Sequence, residues 1–239
     1  MSKNRRGVSE GSSSNTIYLT MSRGSFVKRV KEPTEKSIER ALEKGENAGK
    51  IVHEEHFSEF VGFLEEINVE DSDKFGKSWA FKFDISQEEE TPEKAILKLP
   101  YSSGYANNIL TRLPNIDYTD DIKLSGYKFK PADSDKERIG ISVAQWDKTD
   151  KLNKVFPAYT KDNPNGCPPM VQLTVKGQKV WDDTEKLEFL LNMVETTIKP
   201  QLKGSSEPSY SAVENQSNKQ REQTFESEGK REESDDLPF

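Results

Sequence analysis

Lys77-Ser78-Trp79-Ala80-Phe81-Lys82-Phe83-Asp84-Ile85 is the stretch on which the fold turns. Trp79, Phe81, Phe83 and Ile85 share one parity, and Ser78, Lys82 and Asp84 share the other. Successive side chains of a strand point to opposite faces, so this alternation predicts a strand with an aromatic core side and a wet side. Downstream, Ala95, Leu97, Leu99 and Tyr101 repeat the pattern on a further strand, closed by Pro100 and Gly104. Upstream, Phe57–Val69 reads as one long strand. Phe57, Phe63 and Ile67 share a parity there, with Phe60, Leu64 and Val69 scattered across it, and Ile51–His56 reads as an entry strand. Tyr105, Ile109, Leu110 and Leu113 then mark one side of a short amphipathic helix stopped by Pro114. Ile122–Phe129 and Ile139–Gln145 read as two more strands.

Three strands, a helix and two strands is the order of an OB-fold, a small, partly open five-stranded barrel that commonly binds single strands and oligosaccharides. The expected class is therefore mainly β, a β-rich α+β chain built as an OB-fold-like barrel with additions. An N-terminal hairpin joins Ile17–Met21 to Phe26–Val30 around Ser22-Arg23-Gly24-Ser25. A charged helical stretch is expected after Pro33, ending near Gly45 or Gly49. Leu152–Tyr159 reads as a return arm whose tip is Asp147–Lys151, and Lys161–Pro169 reads as a loop. A C-terminal hairpin follows, Met170–Val175 with Lys179–Trp181. The last element is a helix over Thr184–Lys199, opened by Asp182 with Glu185 and ended by Pro200. Its stripe of Leu187, Leu190, Leu191, Val194 and Ile198 is expected to seal one open end of the barrel. Residues 16–202 thus form one domain. Residues 1–15 and 203–239 have the composition of disordered segments, the second acidic.

The net charge of -7 argues at first against a nucleic-acid partner, but its distribution is uneven. Residues 1–40 hold nine Lys/Arg against four Glu, and residues 204–239 hold four Lys/Arg against nine Asp/Glu, which leaves the middle at -7. Any groove for an anionic polymer must then come from local arrangement rather than bulk charge. A single Cys167 excludes an intrachain disulfide, and no run approaches the ~20 apolar residues of a bilayer span. The expectation is a soluble cytoplasmic protein with no membrane partner.

Signs of catalysis are sparse. His53 and His56, three apart on a strand, face opposite ways and cannot share a metal. Glu88–Glu90 and Asp117, Asp120 and Asp121 read as solvated turns, and no Gly-rich phosphate cradle exists. The chain is expected to be no enzyme and to carry neither metal nor cofactor. The strands instead alternate aromatic and basic side chains. Arg138, Ser142 and Trp146 oppose the inward set Ile139, Ile141 and Val143, and Lys148, Lys151 and Lys154 follow. Tyr127 and Phe129 share a face with Lys123, with Lys128 beside them. Phe156 and Tyr159 lie on the next arm, and Arg112, Lys77, Lys82 and Lys98 extend the rim. Rings that stack on bases beside cations that track phosphates are what sequence-independent single-strand binding requires. Tyr127 and Phe129 have a second reading, as core residues.

The chain closes on Glu232-Glu233-Ser234-Asp235-Asp236-Leu237-Pro238-Phe239. This resembles the acidic tip of bacterial single-stranded DNA-binding proteins, which typically end Asp-Asp-Ile-Pro-Phe; Leu237 stands where that family usually has Ile. The added hairpin, the terminal helix and the Glu/Ser-rich linker are closer to the phage-encoded type. The resemblance implies sequence-independent binding and protection of single-stranded DNA in replication, recombination and repair. It also implies recruitment of replication and repair proteins through Asp235, Asp236, Leu237, Pro238 and Phe239, which offer an apolar ring, a terminal carboxylate and fixed charges to a basic pocket. A homo-oligomer is left open. The alternative class is a non-enzymatic interaction or structural protein, such as a virion or adaptor component, with an OB-like barrel. If the -5 tail competes with DNA for the groove, removing residues 226–239 will tighten oligonucleotide binding at low salt; unchanged or weaker binding in a salt titration counts against that competition.

Overall fold

A computed structural model describes residues 16–43, 48–73, 76–86, 93–132, 135–175 and 177–205, the last three by backbone alone. The chain is mainly β. A hairpin of β1 (Thr16–Ser22) and β2 (Ser25–Val30) precedes β3 (Ile38–Ala41) and β4 (Ile51–Phe57). The central strands are β5 (Glu59–Ser72), β6 (Gly76–Asp84) and β7 (Lys94–Pro100). Then come α1 (Gly104–Leu110), β8 (Ile122–Phe129), β9 (Arg138–Trp146) and β10 (Leu152–Lys154). These ten strands form one sheet in the order β10-β9-β8-β5-β6-β7-β1-β2-β4-β3. A separate ribbon of β11 (Val171–Val175) and β12 (Gln178–Asp182) leads into α2 (Thr184–Met193).

β5 is the hinge of this sheet. Glu59–Gly62 pair with β8, and Phe63–Ser72 pair with β6 across a register shift between Leu64 and Glu66. Irregularities of this kind bend a strand and raise its twist. The two halves of the sheet can therefore fold over a single core. Phe60, near the hinge, sits edge-on to Phe26 at 5.0 Å and to Phe83 at 5.1 Å, geometries that suit aromatic quadrupoles. Trp79 is fully buried, stacks on Tyr101 at 5.3 Å and donates its indole N–H to the Tyr101 carbonyl at 3.1 Å. Ile122, Leu124, Ile141 and Val143 close the same core from the other half.

No ladder joins β7 to β9 among the described residues, so the strands curl without closing into a barrel. α1 packs against both β7 and β9 instead. The β1–β2 turn folds over β8: Gly24 donates its N–H to the Tyr105 hydroxyl at 3.0 Å. A Cβ added at Gly126 would lie 2.2 Å from the Gly24 carbonyl oxygen, and one at Gly24, whose φ is +85°, would lie 2.5 Å from the Tyr127 carbonyl oxygen. Only hydrogens fit between these backbones.

Several expectations require correction. The segment after Pro33 holds a strand rather than a helix: β3 pairs with β4 over Ile38–Ala41. Its Arg40 donates to the buried Glu54 carboxylate from Nε at 2.9 Å and Nη2 at 2.7 Å, and the hydrogen bond holds that carboxyl below its usual range. A buried carboxylate demands such a partner, so tertiary pairing overrides local helix propensity. The expected Phe57–Val69 strand breaks at Ser58: β4 pairs with β2 and β3, and β5 pairs with β8 and β6. The return arm leaves its ladder after Lys154. The Ala158 N–H donates to the Thr111 carbonyl at 2.7 Å, and Asn115 Nδ2 donates to the Phe156 carbonyl at 3.0 Å, which draws the chain toward α1. Asp182 accepts from the Thr184 N–H at 3.0 Å and its hydroxyl at 2.6 Å, but Asp183 occupies the cap position and Glu185 closes no capping box with it. Pro200 does not end the last helix. A π-helical turn over Val194–Ile198 precedes α3 (Lys199–Ser205) and absorbs the missing N–H of the proline, so helix also runs three residues past the expected domain end at 202. Leu190, Met193, Val194, Ile198 and Leu202 are buried in the common core, as the stripe required; Leu187 and Leu191 are only half-buried. Residues 1–15 and 206–239 lie outside the described residues.

Gly126→Ala will lower the urea midpoint by the equivalent of about 1–3 kcal/mol with an unchanged m-value, because backbone rather than a flexible side chain blocks the new Cβ.

Candidate nucleic-acid interface

Residues paired directly across a ladder share a face, so register shows which side chains the outer face of β8, β9 and β10 collects. Phe129 opposes Arg138, Tyr127 opposes Gly140, Ser125 opposes Ser142, and Lys123 opposes Ala144. Trp146 continues the row on β9 and opposes Leu152 of β10, while Lys154 opposes Ala144. Trp146, Tyr127, Phe129, Arg138, Lys123 and Lys154 therefore stand on one side of one sheet. The other side holds Ile122, Leu124, Ile141 and Val143 in the core. Phe129 is 50% exposed, which removes its reading as a core residue, and its ring centre lies 5.9 Å from that of Tyr127. Tyr127 is half-buried and fills the space that Gly140 leaves: a Cβ there would meet the Tyr127 hydroxyl at 2.4 Å and Asn108 Nδ2 at 2.8 Å. Trp146 is half-buried, and Ile139, expected to face inward, is 40% exposed at the far end of β9.

Past β10, Phe156 is 67% exposed, and the Lys154 ammonium lies 5.9 Å from its ring centre. Tyr159 does not join the platform. It is half-buried, packs edge-on against Phe189 of α2 at 5.2 Å, and burial raises its phenol pKa. Arg112 is likewise committed to the fold: Nε donates to the Val155 carbonyl at 3.1 Å and Nη1 to the Asn108 carbonyl, tying the end of α1 to the chain leaving β10. Desolvation lowers its pKa.

The remaining cations divide into two groups. Lys123 is paired with Glu59 at 2.8 Å and Lys128 with Glu137 at 3.2 Å. Lys148, Lys151, Lys154 and Arg138 form no ion pair with any described residue, although the Asp117 carboxyl is held below its usual range by the Thr119 hydroxyl and N–H and also by the Lys148 charge. On the outer face of β5–β7 the expected rim is neutralised, with Lys98 bonded to Glu70 at 2.6 Å and Lys82 to Glu66 at 3.7 Å. Lys77 lies 6.0 Å from the Tyr101 ring centre. Of the four cations outside such pairs, Arg138 lies at the start of β9, Lys154 in β10, and Lys148 and Lys151 in the β9–β10 turn, where Asp147 and Asp150 stand beside them.

That turn is built by Asp147. One carboxylate oxygen accepts from the Thr149 N–H at 2.8 Å, the Thr149 hydroxyl at 2.6 Å and the Lys151 N–H at 3.1 Å; the other accepts from Asn153 Nδ2 at 2.8 Å. These donors hold the carboxyl well below its usual range. They also order the backbone that displays Lys148 and Lys151.

The two histidines sit on opposite faces of β4, near Glu39 and Glu54 respectively, and no cluster of His, Cys, Asp or Glu suited to a metal occurs among the described residues. Among these residues no helix is long and apolar enough to cross a membrane. Sequence reasoning missed Leu152, the cross-strand neighbour of Trp146, although it alternates with Asn153. It also passed over Trp181, whose exposure no local pattern announces. Asp235, Asp236, Leu237, Pro238 and Phe239 lie outside the described residues. No protein-family model, curated protein or solved structure matches this chain.

Asp147 has a depressed folded-state pKa, so its support of the turn is present above the ordinary carboxylate value of ~3.9 and is lost as pH falls through the lowered value. The Thr149 and Lys151 amide shifts will therefore hold from neutral pH to about 4 in an NMR titration and move only below that. Asp147→Ala will displace both at every pH and leave the melting temperature nearly unchanged.

Proposed function

We propose that this protein coats single-stranded DNA without reading its sequence, through an OB-type core, in replication, recombination and repair. The observation that carries this reading is the outer face of β8–β10, where half-buried Trp146 and exposed Phe129 share a side with Arg138 and Lys154, and exposed Phe156 follows just past β10 beside the Lys154 ammonium. Bases stack on such rings at ~1–3 kcal/mol each, whatever their identity, and a lysine track follows the phosphates. The strand order β9-β8-β5-β6-β7, with β5 shared between two halves and α1 between β7 and β8, supports the OB-type assignment. α1 and the N-terminal hairpin occupy the place where a closing ladder would run.

Trp146, Phe129 and Phe156 act as stacking residues, with Tyr127 as a partly covered fourth. Lys148, Lys151, Lys154 and Arg138 neutralise phosphate. Tyr159 and Arg112 support the platform from behind rather than touch DNA. Asp235–Phe239 is left for replication and repair proteins, by its resemblance to the acidic tip. The interaction-protein alternative has one observation in its favour, the exposed apolar stripe Val171, Leu173, Val175 and Val180 on the β11–β12 ribbon.

Oligo(dT) titrated against intrinsic tryptophan emission tests the proposal. Trp146→Ala will weaken binding roughly five- to a hundredfold at fixed salt. Replacing Lys148, Lys151 and Lys154 together by Gln will reduce the slope of log K against log salt by about 2. A wild-type protein that ignores oligonucleotides at modest ionic strength, with and without residues 226–239, overturns the reading.

A further inference from the structure

Among the described residues the β11–β12 ribbon pairs with no other strand, and every described residue in it is exposed. An isolated two-stranded ribbon is marginal in water, so one that stands clear of the sheet calls for a use. Its faces differ. Val171, Leu173, Val175 and Val180 lie on one, together with Gln178 and Asp182. Trp181 lies on the other, directly opposite Gln172, with Lys179 opposite Thr174 on the same side. Trp181 is 59% exposed, and its ring contacts no described aromatic or cation. Lys179 forms no ion pair with a described residue. The ladder thus places one indole, one ammonium, one amide and one hydroxyl on a single open face. The Asp182 carboxylate is on the other face and bonded to Thr184, and Asp183 lies past the ladder at the start of α2.

We propose that Trp181 and Lys179 form a second stacking point for single-stranded nucleic acid, a base lying on the indole and its phosphate near the ammonium. This rests on the reading of the β8–β10 face as a single-strand platform. It repeats that chemistry on an arm that the ordered segment 155–170 joins to β10. That segment is anchored by the Ala158 N–H to the Thr111 carbonyl, by Asn115 Nδ2 to the Phe156 carbonyl and by Tyr159 edge-on to Phe189, so the arm is not loosely hung. A nucleic-acid strand is favoured over a second copy of this chain on two grounds. The Trp181 face carries an unpaired cation and no carboxylate within the ladder. The opposite stripe of four side chains offers far less than the ~800 Å² per partner of a stable interface.

Trp79 is fully buried, so in a Trp146→Phe protein a change in emission on adding oligo(dT) reports on Trp181. Quenching is expected there. Trp181→Ala is expected to bind oligo(dT) roughly five- to a hundredfold more weakly by anisotropy, with the salt slope unchanged because no phosphate contact is removed. Lys179→Gln is expected to lower that slope by about 0.7. Near-UV circular dichroism checks that each variant is folded, and the Trp146→Phe emission needs no change in the ribbon. If wild type binds while Trp181 emission stays unmoved and Trp181→Ala binds equally well, the second point is overturned and the platform reading stands. If light scattering shows Trp181→Ala converting a dimer to a monomer at unchanged oligo(dT) affinity, the ribbon belongs to a second copy and the proposal falls. If wild type does not bind at all, both readings fall together.

Discussion

One strand serving two neighbours is the constraint from which the rest of this structure follows. β5 gives its first four residues to β8 and the remainder to β6, with a register shift at Leu64/Glu66 inside the β6-paired part. A flat sheet of ten strands would leave two broad apolar faces with nothing to cover them. Bent at β5, the same strands set Phe60 edge-on to both Phe26 and Phe83, and Ile122 and Val143 close the core from the other side. The glycine contact between the β1–β2 turn and β8 depends on this bend. So does the insertion of α1 between β7 and β9.

The bend also separates two outer faces with different electrostatics. On β5–β7, Lys82, Lys94 and Lys98 are each bonded to a glutamate on β5, so that face is locally neutral. Around β10 and the β9–β10 turn, Asp147 spends its carboxylate on backbone N–H groups, a hydroxyl and an amide rather than on lysines. Lys148, Lys151 and Lys154 are left facing solvent. Residues 147–154 hold three lysines against Asp147 and Asp150, a net +1 within a chain of net charge -7, because bulk charge says nothing about how charges are distributed. Exposed pairs contribute little to stability, so the β5–β7 pairs matter more for the field they cancel than for the energy they add.

Alternation was the part of the site that could be read early. Parity alone sets Trp146 and Arg138 on a polar face and groups Tyr127 and Phe129 with Lys123 while leaving those two rings open to a core reading; register places all five together because a strand has a strict period of two. Tyr159 and Arg112 eluded that logic. Each lies where the chain has left regular structure, and a partner distant in sequence decides its role, Phe189 of α2 for Tyr159 and the Val155 carbonyl for Arg112. Trp181 eluded it for the opposite reason, since a two-stranded ribbon alternates in the same way whether or not anything covers it.

From composition and periodicity alone came a mainly β chain, the positions of nearly all its strands, the presence of α1, and the stripe of the last helix; α1 ends at Leu110, and Pro114, expected to stop it, lies in a separate 3-10 turn over Leu113–Asn115. These are local consequences of backbone geometry and apolar spacing. Tertiary structure decided that residues 38–41 are a strand, since the Glu54 carboxylate, buried by β4, draws Arg40 to it. It decided that helix continues beyond Pro200, because the buried Val194, Ile198 and Leu202 outweigh one missing N–H. It decided, too, that the curled sheet stays open between β7 and β9. Pairing between distant strands depends on what else competes for the gap, and no window of sequence contains that information.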